Sequence, residues 1–300
     1  MSDLEEIKIK ELELKANEIR QSIIEMLIEA KSGHTAGPLG MADIFTYLFF
    51  EGMVHDPQNP SWEGRDRVVL SNGHICPVLY ATMAHAGYLP VDELKTLRKF
   101  GSRLQGHPHR EYLPSLETSS GPLGSGLSQA VGMAIADIID SGIDTRRTIY
   151  CLMSDGELDA GNSWEGAMLA GKLNLRNLIA IVDRNNIQID GFTEDIMPLE
   201  PLADKWRAWN WHVIEIDGHS FEDIHSAVNQ AKAVFESPTV IIAHTIPGKG
   251  VGYMERDFRW HGTPPGIQDI DGEPKKEEQS KIALDELRSL GRKISGYHND

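Results

Sequence analysis

The sequence predicts an α/β fold, a doubly wound and mostly parallel sheet with helices on both faces. Two observations carry the prediction. Short apolar runs alternate with amphipathic segments of helical length from about residue 67 to residue 244, the pattern of a sheet assembled from crossover units. Residues 147–191 also read as one complete unit of that kind. An apolar run at 148–153 breaks at Ser154-Asp155-Gly156, a helix-compatible segment follows, and a second apolar run at 178–182 ends in Asp183-Arg184-Asn185-Asn186. Such crossovers are right-handed in nearly all proteins. If the two strands are neighbours, Asp155 and Asn185 lie about one strand spacing apart, roughly 5 Å.

In chain order, residues 4–31 form an amphipathic helix with a stripe of Leu4, Ile7, Leu12, Ile19, Ile23, Met26, Leu27 and Ala30, and Gly33 is the expected breaker. A second helix runs from Gly40 to about Glu51, a short buried strand spans 67–70, and helices cover 75–85 and 91–100. Residues 101–126 have little periodicity, and a loop of that length inside a compact domain is usually functional. Helix 127–140 leads into the central unit. Beyond it come helix 202–209, strand 212–216, helix 221–235, strand 239–244, a polar glycine-rich segment at 247–266 and a charged helix at 275–292. The expected organisation is one domain over residues 1–266 and a charged helical tail over 267–300.

The 300 residues carry a formal net charge of −16, which leaves no basic surplus for nucleic acid or an anionic membrane. Cys76 and Cys151 are the only cysteines, too few for a disulfide framework and wrongly spaced for a CxxC site. The N-terminus is charged, and no apolar run reaches the roughly 18–20 residues of a membrane span. A cytoplasmic protein is expected.

The chemistry concentrates in the loops. Asp155 offers a charged oxygen, Asn185 an amide oxygen and Ile187 a backbone carbonyl, a donor set suited to Mg²⁺ that shares its shell with a diphosphate. Gly156 allows close approach of a phosphate because it has no Cβ. Asp-Gly and Asn-Asn pairs are also ordinary turn formers, but the 30-residue separation (185 − 155) fits one crossover unit. His34, His74, His107 and His261 lie in glycine-containing loops, and imidazoles gathered at one pocket suit proton transfer and hydrogen bonding near neutral pH. His85, His219 and His225 read as solvated surface residues. His107-Pro108-His109 lacks partners at zinc spacing. Gly121-Pro122-Leu123-Gly124 is a rigid turn that could present backbone groups to a planar ring, without the GxGxxG pattern of a dinucleotide site. Lys249, outside any P-loop, reads as solvated.

Taken together and in order, SGHTAGPLG (32–40), SNGH (71–74), GHP (106–108), GPLG (121–124), SDGE with NNIQIDG (154–157, 185–191) and HG (261–262) resemble the landmarks of the N-terminal half of transketolase, over roughly residues 20–265. The resemblance implies the diphosphate-binding domain of the thiamine diphosphate fold, with thiamine diphosphate and Mg²⁺ (or Ca²⁺ or Mn²⁺) as cofactors. It implies that Asp155, Asn185 and the Ile187 carbonyl hold the metal, and that Gly156 and Glu157 lie by the diphosphate. His74 and His261 contact the diphosphate, and Gly121, Pro122 and Leu123 contact the aminopyrimidine. His34, His107 and His261 face the ketose and assist proton transfers, and Glu165 matches a glutamate near the family's subunit interface.

Two positions depart from the family pattern. Ser154 replaces the first glycine of GDG, and Ala160 stands where many transketolases carry a second interface glutamate. In this family a separate pyrimidine-binding domain supplies the glutamate that acts on the aminopyrimidine, and a C-terminal domain helps bind the donor phosphate. The sequence accommodates neither, so the expected protein is the N-terminal subunit of a split transketolase, paired with a C-terminal subunit in a heterotetramer and acting on sugars or sugar phosphates of carbohydrate metabolism. The alternatives are a carboligase with a specialised acceptor, the α-subunit of a 2-oxoacid dehydrogenase, and a non-catalytic binding subunit.

Overall fold

The computed structural model describes residues 4–142 and 147–296. Its elements are α1 (Glu6–Ala30), α2 (Ala36–Gly40), α3 (Ala42–Tyr47), β1 (Arg67–Leu70), α4 (Cys76–His85), α5 (Ser125–Ser141), β2 (Ile149–Ser154), α6 (Gly161–Lys172), β3 (Leu178–Arg184), β4 (Ile187–Gln188), β5 (Gly191–Phe192), α7 (Thr193–Ile196), α8 (Leu202–Ala208), β6 (His212–Asp217), α9 (Phe221–Ala233), β7 (Thr239–His244) and α10 (Lys276–Ser295). Five strands form one parallel sheet in the order β1-β2-β3-β7-β6, as the alternating runs predict. β4 and β5 make a separate antiparallel hairpin just past β3.

Every residue of β2 and β3 is buried, because helices cover both faces of a parallel sheet. Successive side chains alternate between two cores. Tyr150, Leu152, Ile179 and Ile181 face a core shared with α1, α3, α4 and α9. Cys151, Met153, Ala180 and Val182 face one shared with α5, α6 and α8. α10 lies along α1 and buries Ala283 and Leu287 in the first core, and the Asn17 amide donates to the Leu287 carbonyl at 3.0 Å.

Several local expectations change. α1 ends because Lys31, not Gly33, adopts the left-handed conformation (φ 53°) and returns its N–H to Leu27. Gly33 instead lets the next loop pass Leu27, whose side chain lies 2.6 Å from where a Cβ would stand. The helix expected over 91–100 is only a 3₁₀ segment at Val91–Thr96, and the helix expected to reach Glu51 closes as a π turn, Leu48–Gly52. The 101–126 segment remains without strands, and α5 starts at its end.

Candidate functional site

The C-terminal ends of β2 and β3 are adjacent, with Ser154 opposite Asp183. Asp155, the next residue, is fully buried. Its Oδ2 accepts the Asn186 N–H at 2.7 Å and an Arg184 N–H at 3.2 Å, and Oδ1 accepts the Gly156 N–H at 2.8 Å. Asn185 is oriented from both ends. Its amide nitrogen donates to Asp183 at 2.7 Å and its oxygen accepts the Ile187 N–H at 3.0 Å. Asp183 also accepts the Thr245 hydroxyl. Burial pushes the Asp155 carboxyl up to about 6, against the pull of the Asn186 N–H and Arg184, and pushes Asp183 up to about 7. Two acids raised in this way are a setting that a divalent cation would relieve, since it favours their charged forms. Asp155 and Asn185 place a carboxylate and an amide oxygen at adjacent strand ends, with Ile187 two residues on, an oxygen donor set that fits a divalent cation.

Glu157 is buried beside them and ties three loops together. One oxygen accepts the Ser71 hydroxyl and the Gly124 N–H (2.8 Å), and the other accepts the Ser154 N–H at 3.1 Å. These bonds join the end of β1, the 121–124 turn and the end of β2. Gly124 is required at this junction, because its φ is +79° and a Cβ would stand 2.2 Å from the Asn162 amide oxygen. Burial raises the Glu157 carboxyl, and its three donors oppose the rise.

A cavity of about 400 Å³ opens above these loops, lined by His34, His74, His107, Gly121, Leu123, Ser154, Gly156, Glu157, Ile187, Gln188, Ile189, Asp190 and His261. His34, His74 and His261 come from three loops far apart in sequence, yet their ring centroids lie 4.8 to 5.3 Å from one another. Burial lowers all three, His34 to about 3 and His261 to about 4, and the neighbouring imidazoles lower His34 and His74 further. They are neutral imidazoles at pH 7, each able to donate from one nitrogen and accept at the other. His107, more exposed, is lowered as well, by burial and Arg98. The Nδ1 atoms of His34 and His261, both amide ends of Asn72 and the Ser120 hydroxyl are buried without partners among the described residues. Such groups normally have hydrogen bonds, and the two orphans on lining residues, those of His34 and His261, fit a polar ligand in the cavity.

The structure thus brings together His34, His74, His107, His261, Gly121, Leu123, Gly156, Glu157 and Ile187 around one cavity, with Asp155 and Asn185 buried beside their lining neighbours. Pro122 is exposed within the same turn. Glu165 stands apart on the solvent side of α6, among the exposed Met168, Leu169 and Leu173. Lys249 lines a different depression beyond β6 and β7. The three histidines read as solvated are instead tertiary links: His219 bonds Asp43 at 2.7 Å and the Ile246 N–H at 2.8 Å, His225 bonds Tyr47 at 3.0 Å, and His85 bonds Ser22 at 2.9 Å. Polar partners on other elements drew these rings inward. Sequence reasoning missed Asn72, Gln188, Asp190, Asp183 and Arg184. The first three lie inside the loop motifs, but Asp183 and Arg184 gave no signal before β3 and the loop after it were placed.

The family described as transketolase, thiamine diphosphate binding domain, matches residues 12–279. The chain is 44% identical to the 6-deoxy-6-sulfo-D-fructose transketolase subunit SqwG of Clostridium sp. (strain MSTE9), over 84% of this chain and 90% of that protein. It is 40% identical to an apulose-4-phosphate transketolase subunit of Phocaeicola vulgatus, over 87% and 92% respectively. Transketolase from Campylobacter jejuni superposes with a TM-score of 0.81 at 35% identity, covering 95% of this chain and 47% of that one. The chain therefore spans about half the length of that solved relative and nearly the whole of the two named subunits.

Proposed function

This chain belongs to the transketolase family, whose thiamine diphosphate-binding domain it carries, and from that premise we propose that it is the N-terminal subunit of a split transketolase, transferring a two-carbon ketol unit from a ketose to an aldose. The observation that carries the reading is the convergence of three neutral imidazoles and the Asp155–Asn185 loops on one cavity, in a chain that matches two transketolase subunits nearly end to end. Thiamine diphosphate, when bound, supplies the nucleophilic carbon that accepts the two-carbon unit. Asp155, Asn185 and the Ile187 carbonyl would hold Mg²⁺ (or Ca²⁺ or Mn²⁺), with the Gly156 backbone beside the diphosphate. His74 and His261 would hold the diphosphate, and Gly121, Pro122 and Leu123 would face the pyrimidine ring. His34 and His107, with His261, hydrogen-bond the sugar and move protons at its hydroxyls, which neutral imidazoles can do in both directions. Glu157 holds the surrounding loops in place, and Glu165 contributes at a subunit interface.

The need for a partner has support in the relatives, since the chain matches two proteins named as transketolase subunits nearly end to end. Among the described residues the cavity lining holds no lysine or arginine, although Arg98 lies close enough to lower His34 and His107. A C-terminal subunit supplies the pyrimidine-side acid, in a cytoplasmic heterotetramer. No helix among the described residues is long and apolar enough to cross a membrane. The test is reconstitution with a C-terminal transketolase subunit, thiamine diphosphate and Mg²⁺, with ketose phosphates as donors. Ketol transfer should require both chains. Robust transfer by this chain alone, or none by the mixture with any ketose, would refute the reading.

A further inference from the structure

Arg184 closes β3, and its side chain is almost fully buried among acids. One guanidinium nitrogen donates to Asp155 Oδ2 at 3.2 Å and to the Thr193 hydroxyl at 2.9 Å, and the other donates to Glu194 at 2.7 Å and Glu200 at 3.0 Å. A carboxylate offers about four lone-pair sites. Arg184 and the Asn186 N–H take both on Asp155 Oδ2, and the Gly156 N–H takes one on Oδ1. One site on Oδ1 is left for a cation. At its other end Arg184 reaches along the strip 193–200. The Thr193 N–H bonds the Asn186 carbonyl at the start of that strip, and at its end Leu199 is buried and its carbonyl accepts the Lys205 ammonium at 2.6 Å, which leaves the exposed residues 194–198 between them tied to the site through Arg184. The hairpin of β4 and β5 between the two anchors supplies Ile187, Gln188, Ile189 and Asp190 to the cavity wall.

We propose that Arg184 is a positioning residue: it aims the Asp155 carboxylate and ties it to residues 193–200, so that filling the metal–diphosphate site and ordering this strip are one coupled event. The inference rests on the assignment of Asp155 as a metal ligand. A lysine keeps the charge but cannot reproduce the fork that joins carboxylates on two sides. By linkage, if the cation binds Asp155 more tightly when Arg184 holds it, the cation favours the arrangement of the groups Arg184 joins to it by the same factor.

Amide hydrogen exchange of the reconstituted complex, with and without Mg²⁺ and thiamine diphosphate, tests this. In the unmodified protein, ligands should slow exchange in both 185–190 and 193–200. In Arg184→Lys, and in the double variant Glu194→Gln/Glu200→Gln, whose side chains are exposed enough to be changed without disturbing the core, slowing at 185–190 should persist. At 193–200 it should fall by about tenfold or more, as in a segment that opens locally. Undiminished protection of 193–200 in both variants, or no ligand-dependent protection of that strip in the unmodified protein, overturns the proposal. Asp155→Asn separates the underlying assignment: if it responds to ligands as the unmodified protein does in both segments, Asp155 is not the ligand and the inference falls with it.

Discussion

The carboxylate of Asp155 accepts the backbone N–H of Asn186 at 2.7 Å, so the loop after β2 is fastened to the loop after β3. The bond crosses 31 residues of sequence and depends on β2 and β3 being direct neighbours in register. It sets the acid, the Asn185 amide and the Ile187 carbonyl at one edge of the sheet before any ligand arrives, and preorganisation of this kind reduces the ordering cost of binding.

Asp155→Ala removes the only carboxylate in the proposed metal set. Outer partners of metal ligands typically contribute 10–100-fold to affinity, so loss of the ligand itself should weaken Mg²⁺-dependent thiamine diphosphate binding by about 100-fold or more. Calorimetry on the reconstituted complex reads this directly, and unchanged affinity would require another metal ligand.

Glu157→Gln tests the clamp. The two Glu157 oxygens serve Ser71, Gly124 and Ser154, and all the partners are donors. An amide must turn its NH₂ toward one of them and leave a buried donor unsatisfied, at a cost of about 1–3 kcal/mol. The urea midpoint should fall with the slope unchanged. A stability equal to that of the unmodified chain would show that the three loops are held by other contacts.

The imidazole cluster makes stability depend on pH with a definite sign. His34 and His261 titrate in the folded chain at about 3 and about 4, below the ordinary histidine value of 6.5. Below pH 6.5 the unfolded chain therefore binds more protons, and stability falls as pH drops from 6.5 toward 4. Asp183, raised to about 7, and Asp155, raised to about 6, work in the opposite direction between their ordinary value and those values, so the histidines' own contribution is read from single variants. His34→Asn should reduce proton uptake on unfolding at pH 5 by about one, measured from the pH slope of the unfolding free energy. An identical slope, or an NMR midpoint for His34 near the ordinary 6.5, would contradict the assignment.

His107 is the most exposed of the four pocket histidines and is absent from the close ring contacts of the other three. His107→Ala should leave cofactor affinity within about twofold and lower kcat/KM for the ketose donor by about 10²-fold or more, the usual range for a group that moves a proton. Titration of thiamine diphosphate and steady-state kinetics on the same sample distinguish the two roles. Equal losses in both would reassign His107 to the cofactor.

The legible parts of this molecule share a physical cause. The central residues of β2, β3 and β7 (149–153, 178–182 and 240–243) are buried on both faces of the sheet and are apolar, so the runs stand out. The histidine loops were legible because glycine and imidazole occur together where chain reversal and chemistry meet. Gly124 keeps a positive φ, for instance, and Gly73 would meet Ser120 if it bore a Cβ. The end of α1 was not legible, because a left-handed Lys31 has no marker of its own. Nor was the inward turn of His219, whose partners Asp43 and Ile246 lie 176 and 27 residues away.

By itself the sequence determined the alternating architecture, the family and the loops that carry polar chemistry, because burial periodicity and turn residues are local properties. Only the tertiary structure decided which side chains meet. It set three imidazoles within 5.3 Å of one another, gave Glu157 to three loops, and placed Arg184 between Asp155 and the acids at 194 and 200. Those relationships depend on strand order and register, which bring together groups that no local pattern connects.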